Sequence, residues 1–499
     1  METAELGSPI PKKMKPAALE APGGTAAAGQ APPPEDEDRI SHLPDAVLGD
    51  IISLLPTKEG SRTQILATRW RHLWRSSSAP LNLDCNALRR PAGSSDIFES
   101  AVSSILSAHP GPGRRLCLDE TRRPYPRSDE ALVDSWLSSP ALDNLQHLEL
   151  RHNYTSSYPS YHRPPPPPLR AAAFRFARTL RVATFGSCTL PSQPPHFPNL
   201  KLLTLEKASI SSDCSLHNMI SECPTLECLL LHDVYGIPCA RISSQSLKSI
   251  GVRLGWFRVS EDQELEELVI ENAPSLEKLL NLNCIHVTVV SAPKLEILGR
   301  VSDSNKNKTR LVFGSTVIQG FHVDSMPARI CTVKTLAVNM GNQLSVKKAI
   351  AMLRCFPCLE KLYIKFCWEK EIMYRCTTMS IWRDMMEPRL DIPLKLKKIV
   401  CDLYQGFSSQ VTFARFFVLN ATELESVIFE VEDKYYNKEF FAYQRAALQY
   451  DKRVSRGACY QFTTRRCLRG VDEFNHASDL DLTDPFLKRG SRGSSCRFV

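Results

Sequence analysis

Residues 198–231 read PNLKLLTLEKASISSDCSLHNMISECPTLECLLL, and this stretch contains one short pattern twice. Each copy begins with Pro-x-Leu and continues as Leu-x-x-Leu-x-Leu. A proline at this point prevents a preceding helix from continuing and fixes the start of a strand. The stretch therefore predicts two copies of one structural unit. The apolar positions of the two copies are Leu200, Leu203, Leu205 and Leu226, Leu229, Leu231.

The same template, with other apolar residues at some positions, recurs from residue 145 onward. It is the signature of leucine-rich repeats, in which each unit gives one short strand to a curved parallel sheet. Few units carry the Asn or Cys that completes the template, and the units start at uneven intervals, so we expect an irregular solenoid. The further copies are Leu145-Leu148-Leu150, Leu265-Leu268-Ile270, Val333-Leu336-Val338, Leu359-Leu362-Ile364, Leu396-Ile399-Cys401 and Leu424-Val427-Phe429. The Asn or Cys occurs at Asn153, Cys188 and Cys367, and Pro-x-Leu also begins at Pro274, Pro293 and Pro357.

Ahead of the repeats, residues 39–84 are patterned for short helices. Leu48, Ile51, Ile52 and Leu55 recur at i, i+3, i+4 and i+7, which predicts one apolar helix face. Three short helices can enclose only a very small core, and a unit of this size usually needs outside help to be stable. We therefore expect it to bind another protein through its remaining apolar face. A further predicted helix carries Leu66, Trp70, Leu73 and Trp74.

The composition of the 499 residues, 43% hydrophobic and 23% charged, is typical of a globular protein with a large core. A net charge of +8 is a mild bias, and the 17 cysteines are an odd number that cannot all pair within one chain. The sequence contains neither a secretory signal nor an apolar run long enough to span a membrane. We expect a reducing compartment, the nucleus and/or the cytoplasm, and no membrane partner. Pro11-Lys12-Lys13-Met14-Lys15 is either a nuclear import signal or a solvated tail.

Residues 40–84 resemble the F-box of plant F-box proteins that carry leucine-rich repeats. Residues 396–425 resemble the FBD module that follows such repeats, and the sequence DLDLTDPF at residues 479–486 is similar to the ends of grass members of this family. The resemblance covers residues 39–487. The matching F-box residues are Leu43-Pro44-Asp45, Leu48, Ile51, Leu55-Pro56-Thr57-Lys58, Arg69-Trp70-Arg71, Leu73-Trp74, Leu81, Leu83 and Asp84.

The resemblance implies an α/β fold, with an N-terminal three-helix F-box followed by an irregular leucine-rich repeat solenoid with a curved parallel sheet. It also implies a non-catalytic role, as the substrate-recognition subunit of an SCF-type ubiquitin ligase. The F-box would dock on a Skp-type adaptor and, through it, on cullin and RING subunits. The repeats would hold a target protein near the activated ubiquitin. The residues that would make or shape the adaptor contact are Leu43, Pro44, Leu48, Ile51, Leu55 and Trp70.

With this resemblance the chain divides into a disordered Ala/Pro/acidic tail and a series of ordered regions. The predicted boundaries are 1–38 for the tail, 39–84 for the F-box, 85–144 for a linking helical region, 145–395 for the repeats, 396–456 for an FBD-like module that ends the solenoid, and 457–499 for a partly disordered extension.

Side chains between the conserved apolar positions of each repeat strand should face outward on the concave side of the sheet. Their charges are mixed, which fits a protein surface better than a phosphate backbone. We therefore predict a protein substrate of unknown identity and no nucleic acid partner. The candidate substrate-binding residues are Glu206, His232, Glu267, Glu271, Lys361, Tyr363 and Lys365.

We find no phosphate-binding loop, dinucleotide-binding motif, nucleophile elbow or zinc-protease motif, and we predict no cofactor and no catalytic residues. Cys355-x-x-Cys358 has the spacing of half a zinc site, but no second pair accompanies it. We therefore predict buried repeat cysteines and no metal.

Two other functions compete with the ligase hypothesis. The first is an interaction scaffold that binds the adaptor without supporting ubiquitin transfer. The second is a nucleic-acid-binding protein that uses Arg465-Arg466 and Lys488-Arg489. The acidic DLDLTDPF sequence lies between those two basic pairs and argues against a continuous basic patch.

Overall fold

The computed structural model describes residues 40, 42–55, 57–73, 81–88, 95–109, 112–120, 130–152, 166–254, 264–282, 285–304, 307–319, 322–323, 329–340, 346–366, 395–464, 468–469, 474–486, 489–490 and 496–497. It divides the chain into two units, residues 1–44 and 45–499. In the first unit the backbone N–H of Leu43 donates to the carbonyl of Ile40 at 3.1 Å. The elements below belong to the second unit. Predictions that fall outside the described residues concern Pro11–Lys15, Trp74, Asn153, Cys367, Arg465-Arg466 and Lys488.

Three short helices open the second unit: α1 (Asp45–Leu54), α2 (Thr57–Arg62) and α3 (Thr68–Leu73). Asp45 places a carboxylate at the positive end of the α1 dipole. Leu48 and Ile52, one turn apart, are both buried. The predicted set of three short helices is thereby confirmed.

The main sheet has 16 strands and is parallel except for two antiparallel strands, β13 (Asn307–Lys308) and β24 (Cys496–Arg497). With strands numbered along the chain, its members in pairing order are β1 (Leu81–Asp84), β2 (Gly113–Asp119), β3 (His147–Arg151), β4 (Val182–Gly186), β5 (Leu202–Glu206), β6 (Cys228–His232), β8 (Ser249–Arg253), β10 (Lys278–Leu280), β12 (Ile297–Ser304), β17 (Thr335–Met340), β18 (Lys361–Phe366), β19 (Lys398–Asp402), β20 (Ser426–Val431), β21 (Cys459–Thr464) and β24 (Cys496–Arg497), with β13 (Asn307–Lys308) beside β12.

A second sheet of six strands is built from the connections between main-sheet strands. From β6 to β12 the chain alternates strand by strand between the two sheets. The connections between main-sheet strands are therefore extended here, whereas a solenoid elsewhere uses helices for them. In pairing order its strands are β16 (His322–Val323), β15 (Thr316–Gln319), β14 (Arg310–Phe313), β11 (His286–Val289), β9 (Glu267–Asn272) and β7 (Cys239–Ser243). A separate two-stranded sheet pairs β22 (Leu468–Arg469) with β23 (Arg489–Gly490).

One apolar cluster joins the main sheet, the second sheet and the helices; Leu203 of β5, Leu268 of β9 and Phe417 all belong to it. Side chains alternate along a strand, so residues 202, 204 and 206 of β5 face away from this cluster. We call the side of the main sheet that faces away from the cluster its front face. The remaining helices are α4 (Ser95–Ala108), α5 (Glu130–Leu137), α6 (Asp213–Ser221), α7 (Val346–Cys355), α8 (Ser408–Asn420) and α9 (Lys438–Ala447).

The predicted α/β repeat fold is confirmed, with one copy of the template in an unexpected place. Leu265-Leu268-Ile270 leads into β9 of the second sheet, whereas the other predicted copies lead into main-sheet strands. Every Pro-x-Leu named above precedes a main-sheet strand, including β10 after Pro274 and β12 after Pro293. The proline therefore marks main-sheet strands more specifically than the leucine spacing does.

The main sheet also extends beyond the predicted solenoid, which comprises the repeats at 145–395 and the FBD-like module at 396–456. It begins at Leu81, inside the stretch assigned to the F-box, because β1 pairs with β2 and β2 with β3. Leu81 and Leu83 are fully buried in the main cluster. At the other end, β20 pairs with β21. The predicted linking helical region thus contributes the strand β2 as well as the helices α4 and α5.

Candidate protein-interaction surfaces

The N-terminal helix α1 and the 3-10 turn between α2 and α3, which ends at Ile65 and Leu66, leave large apolar side chains uncovered. Leu54 is 73% exposed, Ile65 83% and Leu66 65%, and Val47 and Ile51 are also exposed. Val47, Ile51 and Leu54 are spaced i, i+4 and i+7 on α1, so they share one helix face. Exposed apolar residues that share one helix face in this way are typical of a protein–protein contact. We call this set of five side chains the helical patch.

The predicted adaptor residues divide between the helical patch and the interior. Ile51 belongs to the patch, Leu55 is half-buried, and Leu48 and Trp70 are buried beneath the helices, where they can shape a contact but not make it. In the first unit, Leu43 is half-buried and Pro44 exposed. Leu54, the most exposed apolar side chain of α1, is not among the residues predicted from the sequence.

An ion pair holds α1 against α3 on the same unit. The guanidinium of Arg69 donates through Nε to Oδ1 of Asp45 at 2.6 Å. Both side chains are largely solvated, so the pair orients the two helices and contributes little stability.

The front face of the main sheet is covered by residues 474–486, which we call the cover segment. Lys278 Nζ donates to the carbonyl oxygens of Leu480 and Leu482 at 3.3 and 2.9 Å. The backbone N–H of Ala477 donates to Oγ1 of Thr204 at 2.9 Å. These bonds join the cover segment to β5 and β10, near the middle of the sheet.

A second, smaller apolar cluster lies between the cover segment and the front face. Leu480 is fully buried and shares this cluster with Leu230 and Leu280. Farther along, the ring of Phe486 lies 5.4 Å from that of Tyr363, centroid to centroid. Tyr363 also donates through its hydroxyl to Oδ2 of Asp484 at 2.5 Å. Burial, and then Asp484, raise the pKa of Tyr363, so its hydroxyl remains protonated as a donor.

Five of the predicted substrate-binding residues lie on the front face: Glu206, His232, Lys361, Tyr363 and Lys365. Tyr363 is buried beneath the cover segment, and Lys361 Nζ lies 3.5 Å from Asp484 Oδ2. The prediction that Glu267 and Glu271 share this face is wrong. Both lie on β9 of the second sheet, because the template they flank recurs in a connecting strand. Binding of substrate by any of the seven stays a prediction.

Acidic and basic side chains alternate across the first strands of the front face. Arg115 Nη2 lies 2.6 Å from Glu149 Oε1, Arg151 Nη1 3.1 Å from Glu149 Oε2, and Arg151 Nε 2.7 Å from Glu206 Oε2. Burial alone would raise the pKa of Glu149, but Arg115, His476 of the cover segment and Arg151 together hold it below its usual value. This carboxylate therefore stays ionised at neutral pH.

We expect Glu149→Gln to make the protein less sensitive to acid. A carboxyl whose pKa is lowered by folding contributes stability above its unfolded pKa of about 4.3, and this contribution is lost as the pH falls through the lower folded value. The melting temperatures of wild type and variant should therefore differ at pH 7 and converge as the pH falls below the unfolded pKa and through the lower folded one. Thermal unfolding across this range measures the effect, with the exposed Glu425→Gln as the control. A difference that stays constant with pH would contradict the expected role of Glu149.

The described residues contain no group of three or more His, Cys, Asp and Glu side chains that could hold a metal ion. Cys355 is buried in α7, where its thiol donates to the carbonyl of Ala351 at 3.6 Å, and burial raises its pKa to about 11. Cys358 is half-buried. Within the same residues, no helix combines the length and the apolar character that crossing a membrane would require.

Comparison with known proteins adds independent evidence. A family model of the leucine-rich repeats of the FBD-associated F-box protein At5g56370 matches residues 133–364. The chain is 30% identical to the F-box/FBD/LRR-repeat protein At5g22700 of Arabidopsis thaliana, over 48% of this chain and 53% of that protein. It is 27% identical to F-box/LRR-repeat protein 13, over 59% of this chain and 61% of that protein. It is 25% identical to the F-box/FBD/LRR-repeat protein At5g53840, over 80% and 89%, also in Arabidopsis thaliana.

The match thus spans less than two thirds of the length of the first two relatives, and most of the length of the third. The repeat match coincides with strands β3 to β18 and with the connections between them. The fold and the similarities agree: this chain is a homologue of the F-box/FBD/LRR-repeat proteins of Arabidopsis thaliana.

Proposed function

We propose that this chain is the non-catalytic substrate-recognition subunit of an SCF-type ubiquitin ligase. Its N-terminal helices would bind a Skp-type adaptor, and through it cullin and RING subunits, while the main sheet receives a protein target. The observation that carries the proposal is the helical patch, which exposes Leu54 and Ile65 at the N-terminal end of a large repeat sheet. Exposed apolar residues that share a helix face are typical of a site that contacts another protein.

Such a subunit would act by proximity. It would hold a target so that a lysine of the target stays close to the activated ubiquitin, and this raises the effective concentration of the reacting groups. The chain itself would form and break no covalent bonds. We place this function in the nucleus and/or the cytoplasm, in keeping with free buried thiols such as those of Cys188 and Cys401.

The test is binding of the purified chain to a plant Skp-type adaptor, measured by titration calorimetry. We expect Ile51→Asp with Leu54→Asp to weaken binding by at least about 30-fold, because a charge would replace apolar groups at the centre of the contact. Val290→Asp is the matched control, since Val290 is a similarly exposed apolar residue far along the chain.

An equal loss of adaptor affinity in the control would mean that the added charge weakens binding wherever it is placed. A folded wild type that binds no adaptor would refute the receptor function. A chain that binds the adaptor but never co-purifies with a cullin would be an interaction scaffold instead.

A further inference from the structure

The cover segment is built like a docked peptide ligand and not like a repeat unit. Among the described residues it forms no strand ladder with the main sheet, and its centre is a short 3-10 helix, Ala477–Asp481. Asp479 Oδ2 accepts from the backbone N–H groups of Asn475 and His476 at 2.9 and 3.0 Å. The segment thus satisfies the N–H groups of its own first turn, and its main chain bonds to side chains of the sheet, such as Thr204 and Lys278.

The front face supplies the features of a peptide-binding groove. Lys278 is buried and holds the main chain of the cover segment through the carbonyl oxygens of Leu480 and Leu482, two residues apart. These bonds involve no side chain of the segment, so Lys278 would accept any segment of the same shape. Gly251 of β8 leaves room for the side chain of Leu480: a Cβ atom at Gly251 would lie 2.7 Å from Leu480 Cδ2. This gap makes the groove selective for a large apolar residue at one position.

The other end of the groove is basic and aromatic. Lys361 Nζ lies 3.5 Å from Asp484 Oδ2, and the Lys398 ammonium lies 5.7 Å from the centre of the Tyr363 ring. The Arg300 guanidinium is 5.9 Å from the ring centre of Phe486. Lys361 beside Asp484 favours a carboxylate, and the Tyr363 ring favours an aromatic neighbour. This end therefore recognises an acidic residue followed by an aromatic one.

We propose that the front face is a peptide-binding groove for acidic segments with the pattern Leu-x-x-x-Asp-Pro-aromatic, and that the cover segment occupies it in cis. The segment supplies this pattern through Leu480, Asp484, Pro485 and Phe486. The inference deepens the proposed function by naming the chemistry of the target. A target segment must displace the cover segment, so the groove accepts only partners that outcompete it.

Tethering makes this competition severe. A ligand joined to its site by a short linker acts at an effective concentration in the millimolar range. A free peptide of equal intrinsic affinity would therefore bind the wild-type chain poorly. Removing the anchors of the cover segment, without changing the groove, should make the same peptide bind well.

The experiment measures binding of a fluorescein-labelled peptide, FNHASDLDLTDPF, to the full chain by fluorescence anisotropy. The wild type is compared with an open variant, Leu480→Asp with Phe486→Ala. A third protein adds Lys278→Met and Tyr363→Phe to the open variant. The matched control peptide carries the same two replacements as the open variant.

We expect the open variant to bind the peptide at least tenfold more tightly than the wild type does. The groove changes should remove that gain, and the control peptide should bind none of the proteins. Equal binding by wild type and open variant would show that the cover segment does not compete. A folded open variant without affinity, or binding that survives the groove changes, would overturn the groove itself.

Leu480 and Phe486 are buried, so the open variant must first be shown to unfold cooperatively, as the wild type does. If it does not, Asp484→Ala takes its place, because Asp484 lies outside the apolar cluster beneath the cover segment. The same outcomes then decide, with an expected gain of at least about threefold. Adaptor binding is measured separately. A chain that binds the peptide but not the adaptor would support the groove and contradict the receptor function. A chain that binds the adaptor but not the peptide would support the receptor function and contradict the groove.

Discussion

Replacing Phe429 with alanine is expected to lower the free energy of unfolding by about 3–5 kcal/mol, the usual cost of removing a buried phenylalanine. Phe429 of β20 is fully buried, and its ring centre lies 4.7 Å from that of Tyr404 and 5.3 Å from that of Phe462. Phe462 in turn stacks on Phe441 of α9 at 4.5 Å. The truncation therefore opens a cavity among several rings that no neighbour can fill.

The destabilisation caused by Phe429→Ala should be local as well as large. In a repeat protein each unit contacts mainly its neighbours, so the strands next to β20 should lose protection before the distant ones do. Hydrogen exchange followed by mass spectrometry measures this: exchange in β19, β20 and β21 should accelerate, while β3 to β5 remain protected. The control is Phe407→Ala, which truncates a phenylalanine that is 49% exposed. Similar losses for the two variants would contradict the central role of this aromatic cluster.

Much of the repeat array was predictable because its packing is local and periodic. Leu203 and Leu205 lie in the core for the same reason as Leu229 and Leu231: each repeat buries the same positions. The second sheet was not predictable from this pattern. A buried strand in a connection needs the same alternating apolar residues as a buried main-sheet strand, and Leu268 and Ile270 of β9 satisfy both.

The helical patch was half predictable. The spacing of Leu48, Ile51, Ile52 and Leu55 indicated an apolar stripe, but a short helix with apolar residues on several sides does not specify which of them face inward. The packing of α1 buries Leu48 and Ile52 and leaves Leu54 exposed. The cover segment was outside the reach of any local pattern, since Ala477 bonds to Thr204, 273 residues earlier in the chain.

Gly251→Leu is expected to release the cover segment while leaving the repeat core intact. A side chain at Gly251 would occupy the space of Leu480, whose Cδ2 atom lies 2.7 Å from the site of a Cβ atom, and would also press on Leu230. Losing the burial of one leucine costs about 1.5–3 kcal/mol, which raises the undocked population by roughly 10- to 150-fold. The main apolar cluster does not include Leu480, so the melting temperature should change little.

Limited proteolysis with chymotrypsin measures the release of the cover segment. This enzyme cleaves after large apolar residues, and Phe474, Leu480 and Phe486 are buried while the segment is docked. When opening and closing are fast, the cleavage rate follows the open population, so cleavage within residues 474–486 should accelerate by about tenfold or more.

Gly251→Ala should give a much smaller effect, because the flexible end of Leu480 can move aside for one methyl group. Gly457→Leu is the matched control, since no atom lies within 4 Å of a Cβ there. If Gly251→Leu were cleaved no faster than Gly457→Leu, the close fit of Leu480 against Gly251 would not be what holds the cover segment on the sheet.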